Sequence, residues 1–99
     1  MNEFEKITQQ DRRLMVLILL AKETDYACNE YVLRESLKLY AHKLSADLLR
    51  TEMTWLAEQG LLTVNDASGL KVAKLTARGK DVADGCVVVP GVKRPEPEL

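Results

Sequence analysis

The sequence predicts one mainly helical α+β domain in which a small β-hairpin follows three helices. Apolar residues recur at helical spacing up to Gly60 and in strand-like segments after it. The 99 residues suffice for one hydrophobic core and are too few for two. A composition of 46% hydrophobic and 29% charged residues is typical of a folded domain.

The first predicted helix covers residues 8–23. Thr8, followed three residues later by Asp11, resembles a capping box. Residues 14–21 are apolar on every side of the helix, which predicts burial on most sides, either in the domain or against a second subunit. In so small a domain, we expect a homodimer held through this helix. The run is too short to cross a bilayer and no cleavable signal precedes it, so we expect a cytoplasmic protein with no membrane partner.

The second and third predicted helices each follow a capping side chain. Asn29 is the predicted N-cap of a helix that reaches about Ala41, and Ser45 is that of a helix that ends at Gly60. Their buried stripes are Leu33, Leu37 and Tyr40 on the second helix, and Leu49, Met53 and Leu56 on the third.

The periodicity after Gly60 predicts a hairpin and a last short helix. Two strands, residues 61–64 and 70–75, flank a loop of turn-forming residues, 65–69. Thr76 is then the predicted cap of a helix that ends near Asp84. These elements form a predicted domain over residues 1–85.

Residues 86–99 form a predicted extended arm that contains all three prolines of the chain. The valines at 87–89 have strong strand preference and stop at Pro90, so they could add a strand to a sheet edge, either of this chain or of a partner. The alternative, a loosely ordered tail, suits residues 93–99 better. In either case we expect the three valines to be covered.

The order of three helices and a hairpin is that of the winged helix, whose third helix enters the DNA major groove. Two motifs carry the resemblance in detail. Leu49-x-x-x-Met53-x-x-Leu56-x-x-x-Gly60-Leu61 resembles the end of the recognition helix in winged helix-turn-helix regulators of the ArsR, MarR and PadR type. Leu75-Thr76-x-x-Gly79 resembles the motif that follows the wing in these families. The resemblance implies a DNA-binding regulator with residues 61–75 as its wing.

The chain also resembles small proteins of Mu-like phages and prophages over nearly its whole length. The resemblance lies in Asp11-Arg12-Arg13-Leu14, in Arg50-Thr51 through to Gly60-Leu61, and in Val89-Pro90-Gly91-Val92-Lys93-Arg94-Pro95. It implies a phage origin and supplies no mechanism.

A DNA-binding protein of this kind would read bases with the exposed start of its third helix. Arg50 can pair with guanine N7 and O6, and Thr51 or Thr54 can contact bases. Phosphate contacts are expected from the hairpin lysines, and Arg34 and Lys38 are further candidates. The predicted DNA-binding residues are Lys43, Ser45, Ala46, Arg50, Thr51, Thr54, Lys71 and Lys74.

The charge balance favours an alternative, a winged-helix module that binds protein in phage assembly or DNA packaging. The formal net charge is −1, and residues 1–60 carry 8 basic and 10 acidic side chains. Asp47, Glu52 and Asp66 are expected on or beside the reading surface, where they would repel phosphate.

The remaining chemistry-bearing residues favour structural roles. His42 is interpreted as a turn residue, and Trp55 as a core or interface anchor, with an exposed stacking platform as the alternative. Cys28 and Cys86 are far apart in the chain and are expected to be reduced thiols. Residues 43–60 lack the cysteine-rich box of ArsR-type metal sensors. We therefore predict no enzyme activity, no cofactor and no metal site.

Overall fold

The computed structural model describes residues 1–97 and has an α+β architecture. Four helices and a three-stranded antiparallel sheet follow one another in the order α1 (Glu3–Lys22), β1 (Ala27–Asn29), α2 (Glu30–Lys38), α3 (Ala46–Glu58), β2 (Leu62–Ala67), β3 (Leu70–Leu75) and α4 (Ala77–Ala83). A short 3-10 turn, Thr24–Tyr26, precedes β1. The predicted α+β class and the four helices are confirmed.

Helix α1 begins two turns earlier than predicted. Its N-cap is Asn2, whose side-chain oxygen accepts a hydrogen bond from the Glu5 backbone N–H at 2.8 Å. Thr8 lies inside the helix and donates its hydroxyl to the Phe4 carbonyl oxygen. The prediction of Thr8 as the cap was wrong because Asn2 offers an equally good cap before a helix-compatible segment.

The apolar run of α1 supplies the centre of the domain core. Leu14, Val16, Leu17 and Leu20 are buried, and residues 15, 18 and 19 are partly buried against the same cluster. The helix contacts α2, α4 and β3. Burial within one chain therefore explains why residues 14–21 are apolar on every side of the helix.

The caps of the later helices are as predicted. Asn29, Ser45 and Thr76 accept hydrogen bonds from the backbone N–H groups three residues on, and Gly60 has a φ of +76° after α3. Helix α2 ends at Lys38 rather than near Ala41, whose φ of +65° lies outside the helical region.

The sheet differs from the predicted two-stranded hairpin in two ways. A third strand, β1, pairs with β3, so the strand order is β1-β3-β2. The turn between β2 and β3 is only two residues long, because Ser68 and Gly69 both have positive φ, as in a type I′ turn. The five-residue loop predicted over 65–69 was wrong, since residues 65–67 belong to β2.

Residues 86–97 pack back over the helices without forming a strand in the part of the chain that the structure describes. Val89 and Val92 are buried, residue 87 is partly buried, and Val88 is 61% exposed. Residues 87–89 therefore add no strand to the sheet of this chain, and pairing with a partner's sheet edge stays a prediction. Of the three valines expected to be covered, only Val89 is fully buried. The division at residue 85 stays a prediction. The loose tail predicted over 93–99 includes residues 98 and 99, which lie outside the described residues.

Candidate nucleic-acid interface

The exposed face of α3 brings together three of the predicted DNA-binding residues. Arg50, Thr51 and Thr54 line one shallow depression, together with Asp47, Trp55 and Glu58. The Thr51 and Thr54 hydroxyls donate to the carbonyl oxygens of Asp47 and Arg50, at 3.1 and 2.9 Å. Each hydroxyl oxygen can still accept a hydrogen bond.

The start of α3 holds the next three predicted residues. Ser45 uses its hydroxyl oxygen as the N-cap, accepting the Leu48 N–H at 3.0 Å. Ala46 is exposed at the first helical position. Lys43 is exposed just before the cap, and among residues 1–97 no carboxylate lies within 4 Å of its ammonium group.

Arg50 is held by Glu30, the first residue of α2. The Arg50 Nε and Nη2 groups donate to the two carboxylate oxygens of Glu30 at 2.6 and 3.0 Å. Glu30 also accepts the backbone N–H of Lys71 on β3. The hydrogen bonds from Arg50, with that from Lys71, hold the pKa of Glu30 below its ordinary value although burial opposes this. Glu30 is 5% exposed, whereas the Arg50 side chain remains 45% exposed.

The two hairpin lysines point to opposite faces of the sheet. Lys71 lies opposite Asp66 on β2, and its ammonium group is 3.2 Å from the Asp66 carboxylate. Lys74 is three residues further along β3, which places it on the other face, opposite Thr63 and Ala27. Lys74 is exposed and has no carboxylate within 4 Å among residues 1–97.

A cleft joins α2, α3 and the hairpin around Glu30 and Arg50. Tyr31, Arg34, Ala46, Leu49 and Leu70 complete its lining. Within the described chain Arg34 has no ion-pair partner, so the cleft carries two guanidinium groups against one carboxylate.

Glu52 is not on the reading surface, which corrects the sequence-based expectation. Its side chain is buried, at 2% exposure, and accepts hydrogen bonds from Arg12 Nε at 2.9 Å and Arg13 Nε at 3.1 Å. Arg13 also stacks on Trp55, with its guanidinium carbon 3.8 Å from the ring centroid. Of the three acids expected to repel phosphate, Asp47 and Asp66 are exposed, and Glu58 joins them on the α3 face.

Trp55 is the anchor that the sequence predicts. Its partly buried ring packs against the core, and Gly91 lies against its other edge. The Arg13 Nη1 group donates to the Gly91 carbonyl oxygen at 3.2 Å, so the C-terminal residues 86–97, α1 and α3 meet at this ring.

His42 has a spatial partner that the sequence did not reveal. Its Nε2 lies 2.7 Å from the Asp11 carboxylate, and Lys93 of the tail reaches the other Asp11 oxygen at 3.3 Å. Burial raises the pKa of Asp11, but the hydrogen bonds from His42 and Lys93 outweigh it, so the net shift is downward. His42 thus closes the α2–α3 turn onto α1, in keeping with its interpretation as a turn residue.

Sequence reasoning missed Glu30, although a signal was present. Glu30, Leu33 and Leu37 fall on one face of α2, so an acid occupies the buried stripe. A carboxylate in that position needs a cationic partner, and Arg50 supplies it.

Other chemistry is sparse in the described part of the chain. Residues 1–97 contain no group of three or more His, Cys, Asp or Glu side chains placed to hold a metal ion. Cys28 is partly buried, and burial raises the pKa of its thiol. Among the same residues, no helix combines the length and apolar character that a bilayer crossing requires.

Comparison with known proteins places the chain among phage Mu relatives. It is 45% identical over 91 residues to the protein gp26 of Escherichia phage Mu, which covers 92% of this chain and 94% of the Mu protein. It is also 45% identical over 76 residues to a Haemophilus influenzae protein, covering 76% of this chain and 74% of that protein. Both relatives are described as uncharacterized, and no protein-family model matches the chain. The predicted relation to Mu-like phage proteins is confirmed, and the chain belongs to the family of the phage Mu protein gp26.

Proposed function

We propose that the chain is a winged-helix protein that binds duplex DNA and regulates transcription for a phage or prophage. In this proposal α3 is the recognition helix and the β2–β3 hairpin is the wing. The observation that carries it is Arg50, which lies on the exposed face of α3 with a half-exposed side chain held in one orientation by Glu30. The order of helices and hairpin supports the winged-helix interpretation.

The exposed residues divide into base readers and phosphate contacts. Arg50 is assigned to guanine, and Thr51 and Thr54 to neighbouring bases or a thymine methyl. Lys43 and Lys74 are assigned to phosphates, because both are exposed and neither is neutralised by a carboxylate of the described chain.

Salt-dependent binding tests this function. Purified protein is titrated against duplex fragments of a Mu-like phage genome between about 50 and 200 mM salt, where counterion release should be visible. We expect one fragment to be selected and its affinity to fall steeply with salt. Absence of binding at the lowest salt would remove the proposal.

Two substitutions separate reading from phosphate contact. Arg50→Ala should weaken binding to the selected fragment by roughly 5- to 150-fold and relax the preference at one base pair. Lys74→Ala should weaken all sequences evenly and reduce the slope of log affinity against log salt by about one. Fluorescence anisotropy with selected and scrambled duplexes measures both effects, and the exposed Ala77→Ser on α4 is the control. Equal affinities of both variants and the unmodified protein would remove these roles.

A second candidate function, a protein-binding module in phage assembly or DNA packaging, is favoured by charge neutralisation. Arg50 and Lys71 are paired with Glu30 and Asp66, and the α3 face also exposes Asp47 and Glu58. Such a surface suits a protein partner with mixed charges better than a phosphate backbone. The salt titration distinguishes the two, since only a DNA-binding protein selects a fragment.

We propose that the chain forms a homodimer through the first two turns of α1. Phe4 and Ile7 are 78% and 62% exposed and lie one helical turn apart. A second copy is the proposed occupant, because a twofold axis would bring the same exposed apolar face of both chains into contact and cover it. A dimer would also double the phosphate contacts of a nearly neutral chain.

Substitution of this face tests the dimer. Phe4→Ser should convert the dimer to a monomer, since the proposed contact depends on a few exposed apolar side chains. Leu39→Ser is the matched control, because Leu39 is an 82% exposed apolar residue elsewhere on the surface. Sedimentation velocity over a range of concentrations measures both variants. An unmodified protein that stays monomeric, or an unaltered dimer in Phe4→Ser, would contradict this interface.

A further inference from the structure

One buried carboxylate joins the three elements that surround the proposed DNA interface. Glu30 starts α2, accepts two hydrogen bonds from Arg50 on α3, and accepts a third from the Lys71 backbone on β3. With three donors from two other elements, its position is closely defined. The distance between α3 and the β2–β3 hairpin therefore depends on the Glu30 carboxylate.

The pairing leaves the outer edge of Arg50 available. A guanidinium group has five N–H donors, and Glu30 takes the one on Nε and one of the two on Nη2. One donor of Nη1 and the second donor of Nη2 remain on the adjacent, end-on edge, and the other Nη1 donor points back toward Cδ. That edge has the fork geometry that fits the N7 and O6 acceptors of guanine.

A second arginine–glutamate cluster on α3 shows what a purely structural pairing looks like in this chain. Around Glu52, the side chains of Arg12 and Arg13 are 13% and 10% exposed, and Glu52 is 2% exposed. The Arg50 side chain is 45% exposed, while its partner Glu30 is 6% exposed. In the Glu30–Arg50 pair, the carboxylate is therefore buried, whereas the arginine side chain remains accessible to solvent.

We propose that Glu30 is a positioning residue that sets the sequence specificity of the interface by orienting Arg50 and fixing the hairpin beside α3. This inference rests on the proposed DNA-binding function. Because the guanidinium is already held, it loses less conformational freedom when it meets a base. Glu30 itself does not contact DNA, and as an acid it lowers the attraction of the surface for phosphate of any sequence.

The test compares specific and non-specific binding of Glu30→Gln. The ratio of affinities for the selected and a scrambled duplex should fall by roughly 5- to 30-fold, because a neutral amide cannot hold the guanidinium side-on. Affinity for the scrambled duplex should be unchanged or higher, because one negative charge is removed. A residue needed only for folding would lose both affinities together.

Three further variants complete the experiment. Glu35→Gln is the matched control, since Glu35 is also on α2 and, among residues 1–97, forms an ion pair only with the exposed Lys38. It should leave the ratio unchanged. Arg50→Lys keeps the charge but removes the fork, so it should reproduce the lost ratio even if Glu30→Gln does not fold. In an Arg50→Ala background, Glu30→Gln should change the ratio less than about twofold, because the residue it positions is absent.

The outcomes separate this inference from the proposed function. An unmodified protein that selects a fragment, combined with an unchanged ratio in Glu30→Gln, would overturn the role of Glu30 alone. An unchanged ratio in Arg50→Lys would overturn that role together with the base contact assigned to Arg50. Equal loss of both affinities in a folded Glu30→Gln, verified by circular dichroism, would also overturn it. An unmodified protein that binds no duplex at low salt would remove the DNA-binding function, and the role of Glu30 with it.

Discussion

Replacing Glu52 by alanine should lower the free energy of unfolding by about 3–5 kcal/mol. Glu52 is 1% exposed and provides the acceptors for Arg12 and Arg13, at 2.9 and 3.1 Å. Without it, Arg13 stays buried beside the Trp55 ring with a charge that no carboxylate of the described chain balances. The cost follows from this uncompensated charge, rather than from the worth of the ion pair itself.

Denaturant unfolding of matched variants measures the effect. Glu58→Ala is the control, because Glu58 is an exposed acid on the same helix, and we expect a change within about 0.5 kcal/mol. The double variant Arg13→Met with Glu52→Leu should recover part of the loss, since it removes both buried charges of that contact. A loss below about 1 kcal/mol in Glu52→Ala would show that water reaches the two arginines.

The helices that position the proposed interface were predictable because local signals determine them. Asn29, Ser45 and Thr76 are caps both in the sequence interpretation and in the structure, and each acts through a hydrogen bond within its own turn. The start of α1 was misplaced for the same reason: Asn2 and Thr8 both resemble caps, and local pattern alone does not rank them.

The features that sequence reasoning missed depend on contacts between distant parts of the chain. Strand β1 has only three residues, too few to show alternation, and it forms because β3 offers an edge. Residues 86–97 lack any periodic pattern, and they are held by Arg13, by the Trp55 ring and by the Gln10 carbonyl oxygen, which accepts the Lys93 backbone N–H. None of these partners is close in sequence.

The two buried acids, Glu30 and Glu52, are an intermediate case. Glu30 lies in register with Leu33 and Leu37, and Glu52 with Leu49 and Met53, so helical periodicity predicts that both side chains face inward. The expectation that Glu52 lies on or beside the reading surface does not take this register into account. The position on the stripe was the better guide to burial, although only the fold identifies the arginines that satisfy each carboxylate.

The second large effect is expected from Gly79→Ala, which should lower the free energy of unfolding by about 3 kcal/mol. An added Cβ would overlap the Leu61 carbonyl oxygen and lie 2.6 Å from Leu75 Cδ1. That carbonyl cannot easily move, because it accepts the Thr76 N–H at 3.2 Å.

The sign of this change is opposite to the one that helix propensity predicts, which makes it a sharp test. In an exposed helix, replacing glycine by alanine stabilises by about 1 kcal/mol. Ala77→Gly, two residues earlier on the exposed side of α4, should cost less than about 1 kcal/mol and is the control. Thermal and denaturant unfolding measure both variants, and a stabilised Gly79→Ala would show that α4 does not approach Leu61 this closely. The expected loss also gives a physical reason for the glycine in Leu75-Thr76-x-x-Gly79: α4 passes the Leu61 backbone, between α3 and β2, at a distance that admits no side chain.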